Sequence, residues 1–466
     1  MLRTGSLLIL LTAMAAPLAA QPAPDTVVVT LEEAVRRALA VSPDLDQARA
    51  ELDFAEARSR LARASRFLTE FDATTGHAVA PGLDVPDPRP PDDALYLDPG
   101  VRNDWEDLRP YNQIDVEAIQ PLYTWGELGG SLRAARKGVE VEEAAVAGKA
   151  VEVAFRAAEL YYNVLVTDEL LRLAERTRDV VAQAKREIDR LLQEGDPGVD
   201  DADLFQVRIT EQEFLRRLVE VQQSRLTARE ALARQLLLPE GVAVAAAEGV
   251  LAPLAFTPQP LEHYLAEAAQ HRPELAQARA GVAAREALVR VARSGYFPKL
   301  FVGLEASYRF AEGRVRQPNP YISDPFRGGG VRAGVGVRQQ LNFLQTRARV
   351  AQAEAEQAEV QAQLDGVRQL VRFEVEKAYR DLITARAALA AADTALTISK
   401  EWLQFEYINF DLELGDTENL VKAVRENLGL EAGYYEAVRR YNLAVLRLFD
   451  ATGTLAARLE SGTLVE

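Results

Sequence analysis

A proline-free stretch from Leu128 to Glu194 restricts the fold of this chain more than any other sequence feature. Gly126 precedes the stretch and Gly195-Asp196-Pro197 follows it, so nothing inside it forces a helix to break. A single helix of that length would extend on the order of 100 Å, at a rise of about 1.5 Å per residue. Since a compact globular domain cannot contain such a helix, the sequence predicts an elongated protein.

Composition excludes several classes of function. The chain has 466 residues and a net charge of -16, from 70 acidic and 54 basic residues, and it lacks a long basic run, which argues against a nucleic-acid partner. With no cysteine there can be no disulfide, no thiol nucleophile and no lipidated N-terminal cysteine. Nucleotide-binding, metalloprotease and serine-hydrolase motifs are absent, and His263 and His271 are predicted to lie on the surface. We therefore expect no enzyme, no cofactor and no metal site.

The first twenty residues have the pattern of an export signal. Arg3 precedes an apolar run from Leu7 to Ala16, and small residues lead up to Ala20, after which cleavage is predicted. A membrane anchor is the alternative, but the run is short and no stop-transfer pattern follows it. Because we find no later stretch of about 18 consecutive apolar residues, any segment that crosses a bilayer is predicted to be β-strand.

The chain is predicted to be a tandem duplication. Several short segments of the first half recur 230 positions later. The matching pairs are Leu31-Glu32 with Leu261-Glu262, Pro43-Asp44-Leu45 with Pro273-Glu274-Leu275, and Gln47–Ala50 with Gln277–Ala280. Thr30 and Glu33 form a capping box at the first helix, while a kink and a helix-turn-helix both fit the sequence at Pro43.

Each repeat also contains two segments in which apolar and polar residues alternate, as in half-buried strands. The predicted strands cover about 68–80 and 113–121 in the first repeat, and about 299–310 and 331–342 in the second. The proline-rich segment Pro81–Tyr111 is predicted to be a long exposed loop, because proline disfavours a central strand. The glycine- and proline-rich segment 312–330 is predicted to be the corresponding loop of the second repeat.

The predicted organisation follows from these elements. It consists of a signal peptide (1–20), a first repeat (21–238), a connection (239–260), a second repeat (261–453) and a C-terminal tail (454–466). A second long helix is predicted at Thr346–Glu413, with return helices at about 203–237 and 418–450.

The long helices carry more apolar surface than one neighbouring helix would cover. Heptad positions in both helices are apolar, and the simplest interpretation is an antiparallel hairpin folded on itself. The first helix has a second apolar stripe, which indicates packing on two sides. That stripe consists of Phe155, Tyr162, Val166, Leu173 and Val180.

The strands point to a membrane, although a soluble core remains the alternative for their apolar faces. The four predicted strands cannot close a barrel alone, whereas a trimer would supply twelve. In a membrane barrel the apolar face meets lipid and the polar face lines water. Aromatic residues near the strand ends would suit the two membrane interfaces. They are Tyr123, Trp125, Tyr296, Phe297, Tyr308 and Phe343.

The order and duplication of these elements resemble those of the TolC family of outer-membrane efflux proteins. The motifs that carry the resemblance are Ser42-Pro43-Asp44-Leu45 and Arg272-Pro273-Glu274-Leu275 in the helices, Pro121–Gly126 after the second strand and Ser294–Pro298 before the third. The resemblance implies a mainly α fold with a membrane β-barrel part. As a homotrimer, the chains would form a 12-stranded barrel that continues into a long α-helical tunnel extending from the outer membrane into the periplasm.

The resemblance also implies a function and partners. The chain would be the outer-membrane exit duct of a tripartite efflux or type I secretion system, passively conducting drugs, metal ions or proteins from an inner-membrane transporter and a periplasmic adaptor. A soluble periplasmic coiled-coil scaffold or adaptor is the alternative, but it would explain the helices and not the strands. Adaptor docking is expected at the two helix tips, where glycine permits the chain reversal. The expected docking residues are Arg190, Gly195, Asp196, Leu414, Gly415 and Asp416.

The alternative interpretation of the two tips is a simple helix cap that binds no partner. Two departures from the family pattern concern these tips. The first tip carries extra residues around 197–201, which would affect adaptor choice. Asn419 and Lys422 occupy the positions of the acidic residues that form a ring at the tunnel mouth in the family, so Asp200, Asp201 and Asp203 are the candidates to supply negative charge. Solvated surface charge is the alternative role for these aspartates.

Overall fold

The computed structural model describes residues 26–95, 97–194, 201–316, 319–412 and 417–462. The elements in chain order are β1 (Thr26–Val29), α1 (Leu31–Val41), α2 (Pro43–Ala64), β2 (Glu70–Asp84), β3 (Arg102–Tyr123), α3 (Glu127–Glu194), α4 (Asp201–Gln235), β4 (Ala243–Ala246), α5 (Leu261–His271), α6 (Pro273–Ser294), β5 (Lys299–Ala311), β6 (Gly328–Arg338), α7 (Phe343–Asp411), α8 (Thr417–Thr452) and α9 (Leu455–Ser461). The chain divides into two compact units. Unit 1 comprises Met1–Ala40, Ala157–Pro253 and Leu389–Arg439; unit 2 comprises Val41–Arg156, Leu254–Ala388 and Arg440–Glu466.

The duplication is visible in the lengths of corresponding elements. Helices α1 and α5 each have 11 residues, and helices α2 and α6 each have 22. Each repeat continues with two strands and a long helix, α3 with 68 residues and α7 with 69. The predicted tandem arrangement of helix, two strands and helix is therefore confirmed.

Two helix starts show how local sequence sets the boundaries. The Glu33 amide donates to the Thr30 hydroxyl at 3.2 Å, and the Thr30 amide donates to the Glu33 carboxylate at 3.1 Å, which confirms the capping box. At Pro43 the chain forms two separate helices, since Ser42 is extended and its Oγ accepts from the Leu45 amide at 3.4 Å. The proline occupies the first turn of α2, where its missing N–H costs nothing.

Unit 1 contains a small parallel sheet that the sequence did not predict. Strand β1 pairs with β4, with Thr26 opposite Ala243 and Val29 opposite Ala246. The buried Tyr161 of α3 donates its hydroxyl to the Val29 carbonyl at 3.3 Å. The N-terminal extended segment is thereby fixed against α3 and against the connection between the repeats.

The middle parts of both predicted apolar stripes of α3 are buried within unit 1, whereas Phe155 is half-buried in unit 2 and the Val180 side chain lies outside the described atoms. Ala157 and Val164 lie on the heptad stripe, and Tyr162, Val166 and Leu173 lie on the second stripe. Burial of both faces means that α3 packs against more than one neighbour along this part of its length.

Unit 2 contains an antiparallel sheet with strand order β2-β3-β5-β6. Helices α2 and α6 lead into β2 and β5, and helices α3 and α7 leave from β3 and β6. The four helices therefore all join one end of the sheet. The β2–β3 and β5–β6 connections lie at the opposite end.

The prediction that Pro81–Tyr111 is entirely loop is wrong. Strand β2 continues to Asp84 and β3 begins at Arg102, so that Pro81 pairs with Leu108 and Pro110 pairs with Val79. Pro81 is tolerated because β2 is an edge strand with a register shift directly after Pro81. The Pro110 carbonyl still accepts from the Glu312 amide at 3.1 Å, since proline lacks only the donor.

Two further boundaries differ from the predictions. Strand β6 ends at Arg338, so residues 339–342 are outside the strand. The segment predicted as a tail contains α9, whose Leu455 and Leu459 side chains are fully buried in unit 2.

One helix in the described part of the chain is long and apolar enough, by length and composition only, to cross a membrane. It is Phe343–Asn409, within α7. A single helix of this kind is weak evidence for a membrane span.

Candidate functional site

The sheet of unit 2 has one apolar face, and that face is exposed. The register places Phe71, Ala118, Leu304 and Ala333 in one row across the four strands. The large apolar side chains exposed on this face are Phe71, Val79, Ile114, Leu304, Tyr308, Val331, Val335 and Val337. An uncovered apolar face of this kind marks a surface that meets lipid or another protein.

The opposite face of the sheet is polar and carries both acidic and basic side chains. Asp72, Glu117 and Glu305 are paired directly across neighbouring strands, and Arg332 completes the row, with its guanidinium 2.7 Å from the Glu305 carboxylate. Like charges opposite one another destabilise a sheet unless water solvates them. This face is therefore suited to contact with water.

Each outer strand of the sheet has an unpaired edge. Within the described residues, β2 pairs only with β3 and β6 pairs only with β5. Both edges present backbone donors and acceptors over the length of a strand, and such edges readily pair with strands of another chain.

Aromatic residues gather where the strands meet the helices in unit 2. Trp125 has a positive φ of 54°, and its ring stacks on Phe297 with centroids 4.7 Å apart. The Trp125 Nε1 donates to the Pro298 carbonyl at 2.8 Å, and the Tyr123 ring lies 5.0 Å away. This cluster joins the end of β3 to the start of β5. Tyr123, Trp125 and Phe297 are substantially exposed.

The helical part of unit 1 is held together by ion pairs between its helices. Lys185 of α3 lies 2.7 Å from Glu211 of α4, and Arg176 of α3 lies 2.7 Å from Glu431 of α8. Pairing of cations with carboxylates on neighbouring helices fixes their relative register.

Two helices of unit 1 leave apolar side chains exposed on their outer faces. Ile398 and Phe405 are exposed at heptad spacing on α7, and the exposed Leu412 continues this spacing directly after the helix. Helix α4 exposes a comparable set, Phe205, Ile209, Val219 and Leu226. These stripes are the surfaces left after the helices of one chain have packed together.

The structure describes only part of the predicted docking site. Arg190 is exposed near the end of α3, with its Nη1 2.8 Å from a Glu194 carboxylate oxygen. Asp201 begins α4 and is exposed; Asn419 and Lys422 are exposed in the first turns of α8. Asp203 belongs to α4, although its side chain lies outside the described atoms. Gly195, Asp196, Asp200, Leu414, Gly415 and Asp416 lie outside the described residues.

A cavity of about 520 Å³, lined by both charged and apolar residues, lies in unit 2 between α3, the α5–α6 junction, α7 and α8. Arg272 is mostly buried there and donates to a Glu374 carboxylate oxygen and, at 3.3 Å, to the Asp450 carbonyl. Burial raises the pKa of Asp450 to about 6, against the opposing attraction of Arg272. Among the described residues, no group of three or more histidines and carboxylates is arranged to hold a metal ion.

Comparison with known proteins connects this geometry to a family. Residues 264–454 match the family described as outer membrane efflux protein. Protein CyaE of Bordetella pertussis is 26% identical over 362 residues, which cover 76% of this chain and 72% of CyaE. The cobalt-zinc-cadmium resistance protein CzcC of Cupriavidus metallidurans is 28% identical over 186 residues, which cover 40% of this chain and 43% of CzcC.

The fold has a counterpart among solved structures of outer-membrane channels. The crystal structure of CusC matches with a TM-score of 0.71 and 16% sequence identity, covering 95% of this chain and 97% of CusC. A match over nearly all of both chains covers the strands together with the helices.

Proposed function

This chain belongs to the outer membrane efflux protein family, the TolC family, and from that premise we propose that it is the exit duct of a tripartite efflux or type I secretion system. In this role it conducts substrates passively, without catalysis, from an inner-membrane transporter and a periplasmic adaptor to the exterior. The observation that carries the proposal is the sheet of unit 2, which has an exposed apolar face, a charged face and long helices attached at one end only. A soluble periplasmic scaffold would leave that apolar face without a function.

The unpaired edges of β2 and β6 support assembly as a homotrimer. A single four-stranded sheet cannot close, whereas three copies joined edge to edge supply the twelve strands of a barrel. In such a barrel the face with Phe71 and Val335 meets outer-membrane lipid, and the face with Glu117 lines the lumen. The exposed apolar stripes of α4 and α7 are available for contact with neighbouring copies in the same assembly.

The direction of the duct follows from the topology of unit 2. The four helices that connect to the sheet, α2, α3, α6 and α7, all join the same end of it, so that end is the periplasmic end, and the β2–β3 and β5–β6 connections face the exterior. The turns after α3 and α7, with Arg190 and Lys422 on the adjoining described helices, are the proposed places for the adaptor. Export through the signal peptide 1–20, without lipidation, brings the chain to the outer membrane.

Reconstitution of the purified protein tests this function. We expect the chain to fractionate with the outer membrane, to crosslink as a trimer and to conduct ions across a planar bilayer. Val335→Asp, on the apolar face, should prevent membrane assembly because a charge on the lipid face is costly. Arg332→Asn, on the opposite face of the same strand, is the matched control and should assemble normally. Recovery of the wild-type chain as a soluble, non-conducting monomer would refute the proposal.

A further inference from the structure

The most buried ion pair described in unit 2 lies at the end of the sheet away from the helices. Arg314 follows β5, and its guanidinium pairs with Asp324 through two contacts, Nε to Oδ2 at 2.9 Å and Nη2 to Oδ1 at 3.1 Å. The side chains of Arg314 and Asp324 are 2% and 0% exposed, far less than in any other ion pair described for the chain. Burial of an ion pair is costly unless every group in it is satisfied.

Here the remaining guanidinium hydrogens are satisfied by the neighbouring hairpin. Nη1 donates to the Pro81 carbonyl at 2.7 Å, and both Nη1 and Nη2 lie 3.1 Å from Oδ1 of Asn103. Pro81 belongs to β2 and Asn103 to β3, whereas Arg314 and Asp324 belong to the connection between β5 and β6. All five N–H groups of Arg314 therefore have an acceptor, and these acceptors come from two different hairpins.

An aromatic ring and a second arginine complete the arrangement. The Phe326 ring lies 5.1 Å from the Arg314 guanidinium and contacts the Tyr111 ring edge-on at 5.9 Å. Arg327 donates to the Arg314 carbonyl and lies over the Phe310 ring at 5.1 Å. The guanidinium is thus enclosed by a ring as well as by its acceptors, which excludes water and strengthens the ion pair.

We infer that Arg314 and Asp324 form a clamp that locks the β5–β6 connection to the β2–β3 hairpin, so that the outer end of the sheet behaves as one rigid body. The clamp joins the two repeats of the chain at the end of the sheet opposite to the one where α2, α3, α6 and α7 attach. Resting on the proposed function, the clamp also keeps the connection in a fixed place at the external mouth of the duct. A fully satisfied buried pair of this kind selects one conformation, because every alternative leaves a charge unpaired.

Limited proteolysis tests the clamp independently of transport. Arg327 is half-buried, donates to the Arg314 carbonyl and lies over the Phe310 ring, so trypsin cleavage after Arg327 requires the connection to leave its packed position. In the purified full-length protein, Asp324→Ala should increase the rate of this cleavage at least about tenfold, because Arg314 is left buried and unpaired. Asn103→Ala, which removes one acceptor but not the pair, should give a smaller increase.

Two further variants separate the clamp from general destabilisation. Glu305→Ala breaks the exposed Arg332–Glu305 pair on the same sheet and should leave the cleavage rate unchanged. The double variant Arg314→Met, Asp324→Leu removes both charges and retains bulk, so it should be cleaved more slowly than Asp324→Ala. Equal cleavage of wild type and Asp324→Ala, or equal acceleration by Glu305→Ala, would overturn the inference.

Bilayer recordings on the same samples separate the clamp from the proposed function. If the duct function is correct, Asp324→Ala should show additional conductance levels that wild type lacks. Absence of conductance in every sample would count against the duct alone, since the proteolysis result stands without it.

Discussion

The side-chain amide of Asn427 in α8 donates to the Ser399 hydroxyl of α7 at 2.9 Å, and both residues are buried in unit 1. Ser399 in turn donates to the Leu396 carbonyl at 2.8 Å. This short chain of hydrogen bonds is a buried polar link between two long helices. It fixes which turn of α8 faces which turn of α7.

Replacing only one partner should therefore destabilise the helical part of unit 1. Ser399→Ala leaves the buried Asn427 amide without its acceptor and should cost about 1–3 kcal/mol of unfolding free energy. The double variant Ser399→Ala, Asn427→Leu should recover most of that loss. Urea unfolding followed by circular dichroism measures both, with the exposed Thr394→Ala on α7 as the control. Additive losses in the double variant would contradict the link.

The row of carboxylates on the polar face predicts the ion selectivity of the duct. Glu117 lies between Asp72 and Glu305 on neighbouring strands, so Glu117→Lys should lower the cation-to-anion permeability ratio by at least about twofold. Reversal potentials in a salt gradient provide the measurement. Glu56→Lys on α2, a carboxylate remote from the sheet, is the control. An unchanged ratio in Glu117→Lys would show that this face does not line the conducting path.

The cavity of unit 2 predicts a pH dependence of stability. The pKa of Asp450 rises from 3.8 to about 6 on folding, so the folded state favours the protonated carboxyl group. The free-energy penalty for ionising the buried Asp450 carboxyl group is absent below about pH 4, grows as pH rises through the folded pKa, and is fully present above about pH 6. At roughly 1.4 kcal/mol per pKa unit, the penalty is of the order of 3 kcal/mol.

Asp450→Asn should therefore raise the thermal midpoint above pH 6 and change it little at pH 4. Circular dichroism melts of the detergent-solubilised protein between pH 4 and 8 measure this difference. Asp381→Asn, at the rim of the same cavity, provides the matched control. An equal effect of Asp450→Asn at both pH values would mean that the carboxyl group stays charged in the folded state.

If the periplasmic adaptor docks at the two helix tips, substitutions at the tips should abolish adaptor binding without disrupting the trimer. Substitution of Gly195 and Gly415 by tryptophan should abolish crosslinking to the periplasmic adaptor and leave the trimer intact, because a glycine is needed where each helix reverses. Gly433→Trp on the exposed surface of α8, where a Cβ atom added to the glycine would meet no neighbouring group within 4 Å, should leave crosslinking unchanged. Retention of crosslinking by the tip variants would place docking elsewhere.

Sequence-based prediction succeeded where the signal can be read directly from the sequence, and it failed where structure depends on pairing between distant segments. The absence of proline and the 230-residue offset are signals of the first kind, and they predicted α3, α7 and the duplicated α1–α2 and α5–α6 pairs. The parallel pairing of β1 with β4 joins segments far apart in sequence, and four residues are too few for a periodicity signal. The prolines within Pro81–Tyr111 led to a wrong prediction of loop, because an edge strand tolerates a missing amide donor and a proline carbonyl can still accept a hydrogen bond.

The candidate site likewise has one part that the sequence predicted and another part that only the structure reveals. The two faces of the strands follow from alternation in the sequence, so the apolar face was predictable, whereas its exposure is visible only in the structure. Arg314 and Asp324 stand in a segment predicted to be loop, and no local pattern distinguishes a buried arginine from a solvated one. Their importance emerges only when Pro81 and Asn103 of the other hairpin are brought alongside.

Because of the duplication, the β3–β5 seam and the outer edges of the sheet form by steps of different molecularity. The β3–β5 seam joins one repeat to the other within a single chain, so its formation is unimolecular and independent of protein concentration. In the proposed trimer the free edges of β2 and β6 pair with another chain, and that step obeys mass action in the membrane. A variant that weakens pairing at the outer edges should therefore be rescued by higher expression, whereas one that weakens the β3–β5 seam should not.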